Sequence, residues 1–246
     1  MFIYVVCCGM SGVEPLHLVL AESALELVPR EIWFHDVVKR HAKRRGKKPW
    51  EILLDKSVHY RAMLSLPEHH KRGRPDIVHI SLLCALSSPL NRVGLLRVYV
   101  HTIDNRVIFV DPSTRLPRHY YRFVGLVEQL LIEGKVPPDS EKPLMWWKRM
   151  FIHELVDELK LDTVLLMHEL GERVSPQVLG SEIAELMREG KRVGVIVGCF
   201  PHGDFSEDTL RIASKRVSIF REPLDAWVVV SRVIEGVEQA LNVYTW

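Results

Sequence analysis

The 246-residue chain predicts an α/β fold from three features. β-branched runs alternate with helical-period segments, Asp104-Asn105 separates two of the strand-length runs, and hydrophobic residues at 47% leave enough apolar surface for a core. No apolar stretch is long enough to cross a bilayer, so no membrane partner is expected.

The elements follow in order. Residues 2–8 are apolar but have no preceding positive region; they read as an edge strand or as part of an extension, 1–15, before the folded body. Residues 16–20 read as a strand, 21–27 as one or two helical turns, and 34–45 as a polar-faced helix ending near Gly46. Ile77, Ile80, Leu83 and Leu86 recur at helical spacing, and Pro75 holds Arg74 extended, so that Asp76 falls where an N-cap belongs. Runs 97–101 and 107–110 are β-branched and separated by Asp104-Asn105, which predicts a hairpin. Pro117 suits the first position of a helix over 118–133, which would place Arg118 and Arg122 one turn apart on one face. Three prolines in 135–143 predict a loop before a helix over 150–159. Strands over 163–167, 192–197 and 216–220 then alternate with helices over 176–189, 206–213 and 224–241, without a sequence repeat.

Composition narrows the setting. Cys7, Cys8, Cys84 and Cys199 have neither zinc-site spacing nor a disulfide framework, which suits a reducing cytoplasm. The net charge of +2 conceals a partition: residues 1–122 carry 19 Lys and Arg against 11 Asp and Glu, a net +8, whereas 123–246 carry 14 against 20, a net −6. Either a polyanion meets the N-terminal half or the basic side chains are scattered over its surface, since both give these totals. The basic run 39–48 reads either as a solvated helix end or as an added contact to such a polyanion.

Three stretches carry candidate chemistry. Lys71-Arg-Gly-Arg-Pro-Asp-Ile-Val-His79 sets cations, a carboxylate and an imidazole at a helix start, where Asp76 reads as a cap or a catalyst and His79 as a packed or hydrogen-bonded core residue. Arg115, Arg118 and Arg122 surround another helix N-terminus, where cations oppose the macrodipole unless an anion docks there. Val193-Gly-Val-Ile-Val-Gly-Cys-Phe-Pro-His-Gly203 runs a strand into a glycine-bearing loop, with no dinucleotide or Walker fingerprint. His168 and Glu169 lack a second histidine at zinc-ligand spacing, so no metal is expected.

These stretches occur in order with Leu54-Asp-Lys-Ser-Val-His59, Val98-Tyr-Val-His-Thr102, Asp111-Pro-Ser-Thr-Arg-Leu-Pro-Arg-His-Tyr-Tyr-Arg-Phe123 and Val217-Ser-Ile-Phe-Arg-Glu-Pro-Leu224. Over roughly residues 16–241 the chain resembles the pseudouridine N1-methyltransferase family of small-subunit rRNA, a branch of the SPOUT superfamily. The resemblance implies one SPOUT-type domain over 1–246, with inserted N-terminal hairpin and helical elements and a C-terminal trefoil knot. Residues 163–246 would form the knotted region that binds S-adenosylmethionine.

The implied cofactor residues are Met167, Gly198, Gly203, Arg216, Val217, Ser218, Ile219, Phe220 and Arg221. Arg72, Arg74, Arg115, Arg118 and Arg122 would bind substrate rRNA. Asp76 would orient Arg74 and is a candidate base, although a carboxylate pinned by arginine is less basic than a free one. Homodimerisation and contact with ribosome-assembly proteins are implied as well; Ala226, Val230, Val233, Val237 and Ala240 would face either a partner or the core. Two alternatives stand beside it: an RNA-binding ribosome-assembly factor with secondary or lost methyl transfer, which the same arginines would serve, and a SPOUT methyltransferase acting on tRNA, against which the resemblance of residues 74–79 and 115–122 argues.

Overall fold

The computed structural model describes residues 12–245; the expected strand over 2–8, with Cys7 and Cys8, lies outside them. The chain runs β1 (Leu16–Ser23), α1 (Asp36–Arg44), α2 (Lys56–Met63), α3 (Pro75–Ser87), α4 (Pro89–Arg92), β2 (Leu96–Thr102), β3 (Arg106–Val110) and α5 (Tyr120–Glu133). It continues through β4 (Lys135–Val136), β5 (Met145–Arg149), α6 (Ile152–Leu159), β6 (Thr163–Arg173), α7 (Pro176–Arg188), β7 (Val193–Gly198), α8 (Glu207–Arg211), β8 (Lys215–Ser218) and α9 (Ala226–Ala240). The strands form one mixed sheet in the order β4-β5-β3-β2-β1-β7-β6-β8. The half from β2 to β8 is parallel, and β3, β5 and β4 extend it antiparallel.

The two-residue period of β1 explains the layering. Leu16, Leu18 and Leu20 join a core with α3, α5, α7 and α9, while Val19 and Ala21 join the opposite core with α6 and residues around α8. Both faces of the parallel half are covered, which is why its strands read as continuous apolar runs. A third cluster, containing Val28, Val38, Ile52, Leu54 and Met63, packs α1 and α2 into a separate layer. The helices α7 and α9 meet at Gly180 and Gly236, where a Cβ on Gly180 would lie 2.1 Å from the Gly236 carbonyl carbon.

Five expectations change. Residues 21–23 extend β1, because Ala21 pairs with Gly198 and Ser23 with Thr102; the ladder overrides the local helical pattern. Arg74 occupies the N-cap position of α3 and Asp76 lies in its first turn, where the carboxylate bonds the Arg74 side chain rather than capping the helix. The helix expected from 118 starts at Tyr120, so Arg118 precedes α5 and Arg122 lies in its first turn. The proline-rich segment contains β4, and Met145–Arg149 is a strand against β3, with Trp146 stacked on Phe109 at 5.3 Å. Finally, β6 runs on to Arg173, past a bulge that lets Glu172 also pair with Val217.

Candidate functional site

Loops at the carboxyl ends of β6, β7 and β8 leave a crevice where parallel sheets commonly bind ligands. Met167 and His168 on β6, the stretch from Gly198 to Phe205 after β7, and the segment from β8 into α9 enclose a cleft of about 220 Å³. Val197, Ile219, Phe220, Leu224 and Val229 give it apolar walls. Ser218 Oγ donates to the Phe220 carbonyl at 2.7 Å and fixes the turn leaving β8. The buried His168 ring lies with Nε2 2.9 Å from Asp204 Oδ1. Burial pushes the Asp204 carboxyl up, but bonds from His168 and the Phe205 amide outweigh it and hold the group below its ordinary range.

Gly203 has φ +101, and a Cβ there would lie 3.1 Å from His70 Nε2 and 3.3 Å from Lys71 Cγ. Glycine thus lets the cleft loop lie directly on the 69–71 turn. Met167, Gly198, Gly203, Val217, Ser218, Ile219 and Phe220 all line the cleft. Arg216 and Arg221 lie outside its lining: Arg216 donates to the Leu210 carbonyl at 3.4 Å, and Arg221 pairs with Glu222 at 3.2 Å.

The cationic segment begins where β1 ends. Ala24 donates its N–H to the Cys199 carbonyl at 2.9 Å and accepts from the Arg74 N–H at 3.1 Å, so one residue joins the cleft loop to the arginine segment. Arg74 holds Asp76 in a bidentate pair, Nε to Oδ1 at 2.8 Å and a terminal nitrogen to Oδ2 at 2.7 Å. Those bonds raise the Arg74 guanidinium against the effect of burial, and Asp225 and Asp55 add in the same direction. Asp225 is the N-cap of α9, between the cleft residues Leu224 and Ala226.

Arg115, Arg118 and Arg122 are exposed and make no ion pair among the described residues. Their loop is held from two elements: His79 Nε2 donates to the Pro117 carbonyl at 2.8 Å, and Asn91 Nδ2 donates to the Pro112 carbonyl at 2.9 Å. His79 also stacks on Phe123 at 4.2 Å, and the Tyr120 hydroxyl donates to Asp55 Oδ2 at 2.7 Å. The first turn of α5 has no side-chain cap, so its partial positive end lies open between Arg118 and Arg122.

Arg72 is committed elsewhere. It forks onto Glu26 at 2.7 and 2.6 Å, and that bond raises its guanidinium against burial. Sequence reasoning misses Glu22 and Glu26 as partners of the Lys71-Arg72 pair. Their signal is two carboxylates inside the apolar run Val19-Leu-Ala-Glu-Ser-Ala-Leu-Glu-Leu27, which cannot be buried without cations or donors.

Residues 18–238 match the family described as EMG1/NEP1 methyltransferase. The chain belongs to that family. A relative from Staphylothermus marinus, "Ribosomal RNA small subunit methyltransferase Nep1", is 50% identical over 234 residues, 95% of this chain and 100% of the relative. Its namesake from Thermococcus onnurineus is 47% identical over 223 residues, 91% of this chain and 98% of the relative. A crystal structure of Archaeoglobus fulgidus Nep1 bound to S-adenosylhomocysteine has a TM-score of 0.80 at 41% identity, covering 93% of this chain and 98% of that one. The EMG1/NEP1 match starts inside β1 and ends inside α9, so it spans both the cleft and the arginine segments.

Proposed function

We propose that this EMG1/NEP1 family member methylates N1 of a pseudouridine in small-subunit rRNA, with S-adenosylmethionine as donor, in small-subunit biogenesis. The observation that supports the reading is the Ala24 bridge, which joins the cleft loop after β7 to the segment carrying the Arg74–Asp76 pair. Apolar walls at Ile219, Phe220 and Leu224 suit a purine face, and the main chain of the loops after β7 and β8 offers donors and acceptors. When bound, S-adenosylmethionine supplies an electrophilic methyl group on a sulfonium; the C–S bond breaks as the N1–C bond forms.

The chain's part is positioning and charge. Arg74 holds the target nucleotide, and Asp76 fixes the guanidinium plane. The N1 proton passes to solvent water as the bond forms, and the Arg74 guanidinium stabilises the nitrogen as it gives that proton up. Arg115, Arg118 and Arg122, with the open end of α5, take the flanking phosphates. Arg72 is left out of this clamp because its fork onto Glu26 is buried, whereas the equally forked Arg74–Asp76 pair lies half-exposed. The target lies in an unpaired loop, since A-form duplexes hide the base edge that must be reached.

The reading carries a single domain over the chain, trefoil threading of 163–246, a homodimer, ribosome-assembly partners and a cytoplasmic setting. Free thiols at Cys84 and Cys199 suit that setting. Val230, Val233 and Val237 are buried in the core against α7 and α3, so a partner copy would use another surface. The test incubates the protein with labelled S-adenosylmethionine and either tRNA or matched rRNA fragments carrying pseudouridine or uridine, followed by mass spectrometry. Label at N1 of pseudouridine is expected. Label on uridine, or on tRNA in preference to rRNA, refutes the substrate assignment.

A further inference from the structure

Glu22 breaks two ordinary rules. It lies in β1 with φ +47, a left-handed conformation seldom taken by a residue with a side chain, and its carboxylate is buried. Strain of this kind persists only where surrounding contacts over-determine it. Here they do. Lys71 Nζ donates to Oε2 at 2.8 Å, while the Ser206 amide at 2.8 Å and the Thr209 hydroxyl at 2.7 Å donate to Oε1. Burial pushes the Glu22 carboxyl up, yet these donors outweigh it and hold the group below its ordinary range.

Lys71 is buried as deeply as its partner. Its ammonium also lies 4.6 Å from the centre of the Phe200 ring, and its stem packs where Gly203 has no side chain. Glu22 and Lys71 line a second cavity, of about 270 Å³, whose wall includes Asp204 and Phe205. Those two residues also line the cofactor cleft, so the loop over 200–206 is the partition between the cavities. One ion pair therefore touches this loop at Phe200, Gly203 and Ser206, and Lys71 leads directly into Arg72-Gly-Arg74.

A buried ion pair is a poor source of stability, because removing two charges from water offsets most of their attraction. Its geometric effect is larger. We propose that Glu22 and Lys71 are positioning residues, whose ion pair holds the 200–206 loop in its cofactor-binding shape and ties that shape to the segment carrying Arg74. The proposal rests on the methyl-donor reading of the cleft. By linkage, cofactor binding and RNA binding then favour one another, because each orders the segment that the other uses.

The test uses the full chain, with S-adenosylhomocysteine affinity measured by calorimetry and RNA affinity by anisotropy. The double variant Glu22→Gln/Lys71→Met removes both charges, so no unpaired buried ion is left to unfold the protein. About tenfold weaker S-adenosylhomocysteine binding is expected, with RNA affinity in the absence of cofactor within about twofold of wild type. The KM for S-adenosylmethionine rises by a similar factor, and kcat at saturation stays within about threefold. Thr209→Val retains the ion pair and deletes one donor to Glu22, so it should weaken S-adenosylhomocysteine by about threefold even if the double variant does not fold. Binding within about twofold of wild type in every folded variant overturns the proposal. A wild-type chain that fails to bind S-adenosylhomocysteine overturns the donor reading as well, which separates the two failures.

Discussion

Replacing Asp76 by asparagine separates orientation from proton transfer. Both Asp76 oxygens accept from Arg74, at 2.8 and 2.7 Å, in a pair whose side chains are 35% and 38% exposed. The asparagine side chain keeps one acceptor and turns an amide donor toward the guanidinium, so one of the two bonds is lost along with the charge. For a pair this exposed the stability cost is about 0.2–1 kcal/mol, which lowers the melting temperature by no more than roughly 4 °C in a chain of this size. If Asp76 only orients Arg74, a loss of about 1 kcal/mol in substrate positioning weakens rRNA affinity by roughly fivefold. The value of kcat at saturating RNA then stays within about threefold. A general base would behave differently, since its loss costs about 10²–10⁴ in rate. Single-turnover methyl transfer at saturating RNA, paired with anisotropy titrations, reads both quantities. A hundredfold fall in rate with unchanged RNA affinity would refute the orienting role.

Other outcomes follow from the same geometry. Alanine at Arg115, Arg118 or Arg122 should weaken binding to all loop sequences alike and flatten the log–log salt dependence by about 0.7 per lost single-strand phosphate contact; an unchanged slope removes that arginine from the clamp. His59 is held neutral by burial, which pulls its imidazole down to about 4, with His41 adding in the same direction. Between pH 4 and 6.5 the unfolded chain therefore binds the extra proton, and stability falls as pH drops through that window. Denaturation midpoints compared at about pH 7.5 and about pH 4.5 should show a smaller acid loss in His59→Gln than in wild type, and an equal loss would contradict the assignment. Gly180→Ala forces α7 and α9 apart and should cost about 1–3 kcal/mol, read as a lower denaturant midpoint with unchanged m-value.

The sequence determined what local chemistry and periodicity can encode. Apolar runs put β2, β3, β6 and β7 near their observed positions, because a strand buried on both faces has no polar option. The Asp104-Asn105 turn located the hairpin, with Asn105 at φ +57. Glycines at 198 and 203 marked the cleft loop, and the spacing of Lys71, Arg72 and Arg74 marked the cationic segment.

Which cation stays accessible was decided only by tertiary structure. Arg72 and Arg74 are two residues apart and chemically identical, yet Glu26 occupies the first with both oxygens while the second is paired at the surface beside the start of α9. The bend that makes Arg118 precede α5 comes from His79, 38 residues upstream, taking the Pro117 carbonyl. Residues 21–23 likewise became strand because β2 and β7 offered them partners that no local window contains. Periodicity reports which face of an element must be buried; the partner that buries it, and the charge left over to meet RNA, depend on contacts between residues far apart in the chain.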